Sequence, residues 1–174
     1  MHKWIILHYL TEVVLAHIKG CIVEIGIGES TKILAGHAEK NKINFYTCDL
    51  NRNCRKFCEK HVHFQGSSFD FMKQFNDIPS IVFLDGNHNY EIVSVEVEFF
   101  LEKLLAGGII FLHDTYPPSE ERLVKKYCSD SYRLRQEYEK RRDIVDCFTW
   151  PYTAINCGLT MIIKKSLNRP FYRE

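Results

Sequence analysis

Short apolar runs recur along the chain, and each ends in a turn or a polar residue before a longer stretch of mixed character. Cys21–Ile25, Ile43–Cys48, Val62–Gln65, Ser80–Leu84 and Ile109–Leu112 have the length and β-branched or aromatic content of short strands, mostly buried ones. Between them the spacing predicts helices over Lys32–Lys40, over Asn51–Lys60, around Phe71, Met72 and Phe75, and over Asn89–Leu105. The last of these is ambiguous by pattern. Val93, Val95, Val97 and Phe99 alternate as a strand would, whereas Val93, Val97, Phe100 and Leu104 share one helical face. Its 17 residues, its glutamates at 91, 96, 98 and 102, and the Gly107-Gly108 stop decide for helix. Residues 2–19 place Leu7, Leu10, Val14 and Ile18 on one face, and Gly20 ends that helix. Beyond the fifth strand, Ser119–Cys128 reads as a helix, Ser131–Tyr138 as a strand on the far edge of the sheet, and Ile155–Ile163 as the last strand.

Five strand–helix units followed by a terminal strand pair define an α/β fold. The expected architecture is a doubly wound, Rossmann-like, mostly parallel seven-stranded sheet. Its last strand is antiparallel, and helices cover both faces. Residues 1–174 form a single domain, with an N-terminal helix in 1–20 and a variable, substrate-side region in 130–154. Composition narrows the reading. A net charge of +1 gives no bulk attraction to nucleic acid or to a membrane surface, so neither partner is expected. The seven cysteines have no framework spacing, and two of them, Cys21 and Cys48, lie inside strand-like runs. This points to a reducing, cytoplasmic setting. The apolar N-terminal stretch is interrupted by His8, Glu12 and His17, unlike a signal peptide or a membrane span.

In an open parallel sheet, ligands bind beyond the carboxyl ends of the strands, so the residues at those ends are the candidates. The first strand runs into Gly26-Ile27-Gly28-Glu29-Ser30-Thr31, a glycine turn leading into a helix N-terminus, where Ser30 or Thr31 can act as cap. Such a turn lets the backbone approach an anionic ligand closely. Thr31 stands where a dinucleotide fingerprint requires its third glycine, which argues against a nicotinamide cofactor. Glu24, two residues before Gly26, suits S-adenosylmethionine enzymes instead. Asp49 closes the second strand, 21 residues after Gly28, and can accept both hydroxyls of a ribose. Gly66-Ser67-Ser68-Phe69 lies where a nucleoside-binding sheet holds adenine, and Ser68 can also cap the following helix. The fourth and fifth strands deliver Asp85 with His88, and His113 with Asp114. Cys54, Cys58 and His61 are close in sequence but match no closed zinc module. Glu137–Asp143 reads as a solvated turn or as a clamp for an acidic substrate.

Three motifs together resemble class I S-adenosylmethionine-dependent methyltransferases over nearly the whole chain. They are Val23-Glu24-Ile25-Gly26-Ile27-Gly28, Thr47-Cys48-Asp49-Leu50 and Ile155-Asn156-Cys157-Gly158-Leu159-Thr160. A narrower set is similar to the branch that holds macrocin and rhamnosyl O-methyltransferases. It comprises Leu84-Asp85-Gly86-Asn87-His88-Asn89-Tyr90, Leu105-Ala106-Gly107-Gly108 and Leu112-His113-Asp114-Thr115.

The resemblance implies S-adenosyl-L-methionine as cofactor, held by Glu24, Gly26, Ile27, Gly28, Ser30, Asp49, Leu50, Ser67, Ser68, Phe69 and Asp85. It implies a divalent metal, Mg²⁺ or Mn²⁺, at Asp85, His113 and Asp114, and a catalytic role for His88 and Asp85, with His88 as base. The first acid of that branch's metal pair is His113 here. The expected reaction is O-methylation of a small-molecule or sugar hydroxyl, with a small-molecule or glycan acceptor as partner and oligomerisation left open. A Rossmann-like cofactor-binding protein without catalysis and a nicotinamide oxidoreductase are the competing readings.

Overall fold

The computed structural model describes residues 4–50, 54–124, 127–151 and 157–166. The elements in chain order are α1 (Ile5–His17), β1 (Cys21–Ile25), α2 (Ser30–Asn41), β2 (Phe45–Asp49), β3 (His61–Gln65), α3 (Ser68–Gln74), β4 (Pro79–Leu84), α4 (Tyr90–Lys103), β5 (Ile109–His113), a 3-10 turn (Glu120–Arg122), α5 (Tyr132–Tyr138), β6 (Val145–Trp150) and β7 (Leu159–Lys164). The seven strands form one sheet in the order β3-β2-β1-β4-β5-β7-β6. The first five strands pair in parallel, and β7 runs antiparallel to both β5 and β6. The expected doubly wound sheet with an antiparallel last strand is therefore what the chain forms.

Strands β1, β4 and β5 are buried along their whole length, which explains their unbroken apolar runs. Their side chains alternate between two cores. Val23, Ile25, Val82, Leu84, Ile110 and Leu112 pack with residues of α3, α4 and α5 on one face. Ile22, Ile81, Phe83, Ile109 and Phe111 pack with α1 and α2 on the other. The chain winds outward from β1 to β3 and then returns to β4 on the other side of β1. The switch point thus lies between β1 and β4, where the loops diverge and leave a crevice.

Four sequence expectations need correction. Residues 54–57 have no regular structure and 58–60 form a turn, so no helix carries Cys54 and Cys58; residues 51–53 lie outside the described set. Phe57 packs on the α1–α2 core, and its N–H donates to His61 Nδ1 at 3.2 Å. These long-range ties replace a helix that has no apolar face of its own. Ser119–Cys128 forms only the short 3-10 turn, because Leu123 and Val124 find no core and stay exposed; residues 125–126 are not described.

Ser131–Tyr138 is helical, not extended. Leu134 and Tyr138, one turn apart, are its buried residues, and this i, i+4 pairing prevails over the alternating pattern. The far-edge strand is Val145–Trp150 instead. The last strand begins at Leu159; residues 155–156 of its expected start fall outside the described residues. No described helix is long and apolar enough to cross a membrane.

Candidate active site

The crevice is a cavity of about 470 Å³ walled by the ends of β1, β2 and β4, the β3–α3 loop and α4. Its floor is the glycine turn. Gly26 has φ +88°, and a Cβ there would lie 2.5 Å from the carbonyl oxygen of Asp85. The β1 and β4 turns are also tied by Asp85 N–H donating to Ile25 O at 2.8 Å. Gly26→Ala therefore meets both a left-handed backbone and a main-chain clash. It is expected to cost at least about 2 kcal/mol, seen as a lowered denaturation midpoint.

Asp49 joins the turn to β2: Ile27 N–H donates to its Oδ2 at 3.1 Å. Of the residues expected to hold the cofactor, Gly26, Ile27, Asp49 and Leu50 line the cavity on this side, and Ser67, Ser68, Phe69 and Asp85 line it elsewhere. Ser67 is the N-cap of α3, where Ser68 was expected; its hydroxyl accepts from Asp70 N–H at 3.1 Å.

Glu24, Gly28 and Ser30 do not form the cavity wall. Glu24 is fully buried behind the turn. Its Oε1 accepts from Ser30 Oγ at 2.5 Å, and its Oε2 has no partner. Burial pushes its carboxyl up to about 8, against the Ser30 and Thr31 hydrogen bonds. Ser30 thus serves Glu24, Gly28 N–H donates to Thr31 Oγ1 at 2.9 Å, and the N-cap of α2 is Glu29, with no side-chain cap bond. Cys48, Gly86, Asn87, Ile92 and Glu96 also line the cavity and were not expected. Glu96 is the most unusual of these. It is 1% exposed with Oε2 unpartnered, and burial raises it to about 7 while Ser68 opposes the rise. A signal was present, because Glu96 interrupts the apolar face of α4 three residues after Val93.

The four side chains at the ends of β4 and β5 converge. Among the described residues, Asp85, His88, His113 and Asp114 offer ligand atoms that all lie within 4.8 Å of one another. His113 Nδ1 is 2.9 Å from Asp85 Oδ1 and 3.3 Å from Asp114 Oδ1. His88 Nε2 is 3.5 Å from Asp85 Oδ1 and 3.6 Å from Asp114 Oδ2. Both nitrogens are buried, and neither makes a well-aligned hydrogen bond.

The electrostatics are strongly coupled. Burial works to lower His113, but Asp114 and Asp85 outweigh it and push the imidazole up to about 10. Burial works to raise Asp85, and His113 and His88 hold it below the usual carboxylate range. The ring of Trp4, itself buried, lies 5.2 Å from that of His113, and Phe83 lies 6.2 Å away. Trp4 Nε1–H also donates to Glu29 Oε2 at 3.3 Å, so the start of α1 spans the glycine turn and the histidine. Asp114 has φ +56°, a left-handed conformation that aspartate tolerates at some cost. Its N–H donates to Gly158 O at 3.0 Å, its Oδ1 accepts from Cys157 N–H at 3.3 Å, and Ser131 Oγ donates to its carbonyl at 2.7 Å.

A second cavity of about 430 Å³ shares Gly86, Asn87 and Ile92 with the first and adds His88, Asn89 and Ser129. His88 therefore lines a compartment adjoining the first crevice. Two members of the charged run Glu137–Asp143 are tied to α4. Arg141 pairs with Glu98 of α4, and Tyr90 Oη donates to Glu137 Oε2 at 2.7 Å. Trp150 packs on the α1–α2 core, and Tyr152 is outside the described residues. His61, once the partner of a conceivable zinc site, lies 2.8 Å from Thr47 Oγ1.

A switch-point crevice between a glycine turn and an acid at the end of β2 defines a Rossmann-like fold. Residues 23–115 match the family model described as a methyltransferase domain, more than half of the 174 residues. The chain belongs to that family and is an S-adenosylmethionine-dependent methyltransferase. No curated protein sequence matches it.

Solved structures match the fold. The O-methyltransferase TomG from Streptomyces achromogenes, involved in tomaymycin synthesis and complexed with S-adenosylmethionine, aligns with TM-score 0.68 at 15% identity, over 92% of this chain and 78% of TomG. An O-methyltransferase from Bacillus cereus in complex with S-adenosylhomocysteine gives 0.63 at 15%, over 91% and 80%. MycE from the mycinamycin biosynthetic pathway, complexed with Mg, S-adenosylhomocysteine and mycinamycin VI, gives 0.66 at 13%, over 97% of this chain but 51% of MycE.

Proposed function

We propose that the chain transfers the methyl group of S-adenosylmethionine to a hydroxyl of a polar small molecule or glycan. The observation that carries this reading is the position of His88, which stands beside two carboxylates and lines a compartment adjoining the cofactor crevice. That compartment offers amides, an imidazole and a hydroxyl among its described residues, a lining suited to an acceptor with several hydroxyls. Two O-methyltransferases among the structural neighbours, and the methyltransferase MycE with mycinamycin VI bound, are in keeping with this acceptor chemistry.

Asp49 holds the ribose, the Gly26-Ile27 backbone approaches the methionine portion, and the β3–α3 loop faces the adenine. His88 accepts the acceptor's proton at Nε2 as the new C–O bond forms and the methyl–sulfur bond breaks. The products are the methyl ether, S-adenosylhomocysteine and a protonated histidine. Most of the acceleration comes from alignment, which can contribute ~7–11 kcal/mol. Asp85, His113 and Asp114 would hold a divalent metal, since their ligand atoms converge within 4.8 Å of one another. When bound, it would acidify the acceptor hydroxyl.

The test is mass-spectrometric detection of methylated product when the protein is incubated with S-adenosylmethionine and a panel of glycosides, polyols and phenols. Methyl transfer to hydroxylated glycosides supports the reading. Cofactor binding with no product across the panel favours a binding protein without catalysis.

The cofactor half has its own expected result. Asp49→Ala removes both the ribose acceptor and the anchor of Ile27 N–H. A hydrogen bond to a charged group contributes about 1.5–3 kcal/mol, so S-adenosylhomocysteine should bind about ten- to hundred-fold more weakly by calorimetry. Unchanged affinity rejects the ribose assignment.

A further inference from the structure

We infer that Glu96 is the residue that selects adenine in the crevice, its carboxyl accepting a hydrogen bond from the exocyclic amine of that base. Glu96 stands in the second turn of α4, in a row whose other buried members are Val93, Val97, Phe100 and Leu101. A leucine there would serve the fold without electrostatic cost, whereas a carboxyl taken out of water is costly unless it is paired. Glu96 is 1% exposed, and its Oε2 has no hydrogen-bond partner. Among the described side chains with such an orphaned buried atom, it alone lines the crevice.

Its neighbours place it at the end of the crevice assigned to the base. The Ser68 side chain hydrogen-bonds the carboxyl. Burial and the nearby Glu96 push the Cys48 thiol up, and Cys48 Sγ reaches Gly66 O at 3.4 Å. Glu96 therefore stands over the seam between β2 and the β3–α3 loop. In the proposed function Asp49, at the end of β2, takes the ribose and that loop faces the adenine, so selection by Glu96 rests on this placement. Phe69 and Ile92 line the same cavity and offer apolar surface to the faces of a planar ring, which leaves its polar edge for the carboxyl.

The base is chosen by donors and acceptors. An ionised carboxyl is an acceptor with about four lone-pair sites, so Ser68 leaves capacity for a second donor. The terminal torsion of a glutamate is broad, and either oxygen can turn to the cavity. Adenine carries an amine donor where guanine and hypoxanthine carry a keto oxygen. The amine satisfies the buried carboxyl. A keto oxygen sets acceptor against acceptor and leaves both unpaired, the situation in which a polar site discriminates most strongly.

The experiment is calorimetry on the full chain at pH 8.5, above the value of about 7 to which burial raises Glu96, so that the carboxyl has no proton to offer a keto oxygen. The probes are S-adenosylhomocysteine and S-inosylhomocysteine, in which a keto oxygen replaces the amine. The parent should bind the adenosyl ligand more tightly by at least about 30-fold. Glu96→Leu should weaken adenosyl binding about ten- to hundred-fold, leave inosyl binding nearly unchanged, and so bring the ratio to within about three-fold. Its denaturation midpoint should be no lower than the parent's, because leucine suits the apolar row. Glu96→Gln keeps an acceptor for the amine and adds a donor for the keto oxygen. It should hold adenosyl affinity within about five-fold and narrow the ratio by tightening the inosyl ligand. A parent that binds the two ligands alike overturns the inference. So does a Glu96→Leu protein that loses affinity for both in equal measure, which marks a packing role. If the leucine variant does not fold, a Glu96→Gln protein with the parent's ratio overturns it. Adenosyl binding without selectivity sinks this inference and leaves the methyl-transfer reading standing; binding of neither ligand sinks both.

Discussion

His88→Ala is expected to lower the rate of methyl transfer by about 10²–10⁴-fold while leaving S-adenosylhomocysteine affinity within a few-fold. The separation follows from position. His88 lines the second cavity and not the cofactor crevice, so its loss removes the proton acceptor without opening the cofactor's contacts. Asn89, next in the chain, still caps α4 in the variant by accepting from Ile92 N–H at 3.2 Å. The variant should therefore fold. The defect should shrink as pH rises and the acceptor loses its proton to solvent, so the ratio of variant to parent rates should climb toward alkaline pH. A rate within three-fold of the parent on a true acceptor, or an equal loss of cofactor affinity, would remove His88 from the chemistry.

The stability of the cofactor-free protein should fall as pH rises from about 4.5 to 8, and Glu24→Gln should flatten much of that fall. Glu24 ionises near 4.5 in the unfolded chain and near 8 in the folded one. Between those values the unfolded chain has lost the proton that the folded chain retains, so unfolding becomes progressively easier with pH. Each pKa unit corresponds to about 1.36 kcal/mol, which puts the full cost at roughly 5 kcal/mol, present at and above pH 8 and absent below 4.5. Glu96, raised to about 7 by burial, contributes in the same direction and persists in the variant. Glutamine keeps an acceptor for Ser30 Oγ and cannot ionise. Denaturant titrations at pH 5 and pH 8.5 measure both proteins, and parallel pH dependence in the two would refute the assignment of this cost to Glu24.

The parallel half of the sheet was legible because β1, β4 and β5 are buried on both faces, and their apolar runs have no competing explanation. The region after Asp114 was much less so. Tyr132–Tyr138 carries both a two-residue and a four-residue spacing of large side chains. Only the packing of Leu134 and Tyr138 against the α4 face selects the helix. Strand β6 escaped notice because its burial is mixed, as befits an edge strand whose outer side faces water. Asn51–Lys60 looked helical from polarity and length, but it lacks the apolar stripe that would hold a helix on the sheet.

At the site, Asp85, His88, His113 and Asp114 were legible because strand ends at a switch point converge whatever their loops do. Asp49 was legible from its distance to the glycine turn. Motif position points Glu24 and Ser30 at the cofactor, whereas the fold buries them behind the turn. Glu96 was missed since a glutamate in a helix rich in glutamates draws no attention until its face is known. The departure at His113 was visible in the sequence, but its place between two carboxylates needed the structure.

Strand β7, the last in the chain, lies between β5 and β6, and the stretch just before it ties down Asp114 through Cys157 and Gly158. The two halves of the site therefore draw on different parts of the chain. Everything that lines the cofactor crevice precedes residue 97, so a chain emerging from the ribosome carries that half first. Asp114 acquires its anchors only when the final strand slides in beside β5. A chain cut ahead of Cys157 would keep every lining residue of the crevice and lose both of these anchors of Asp114.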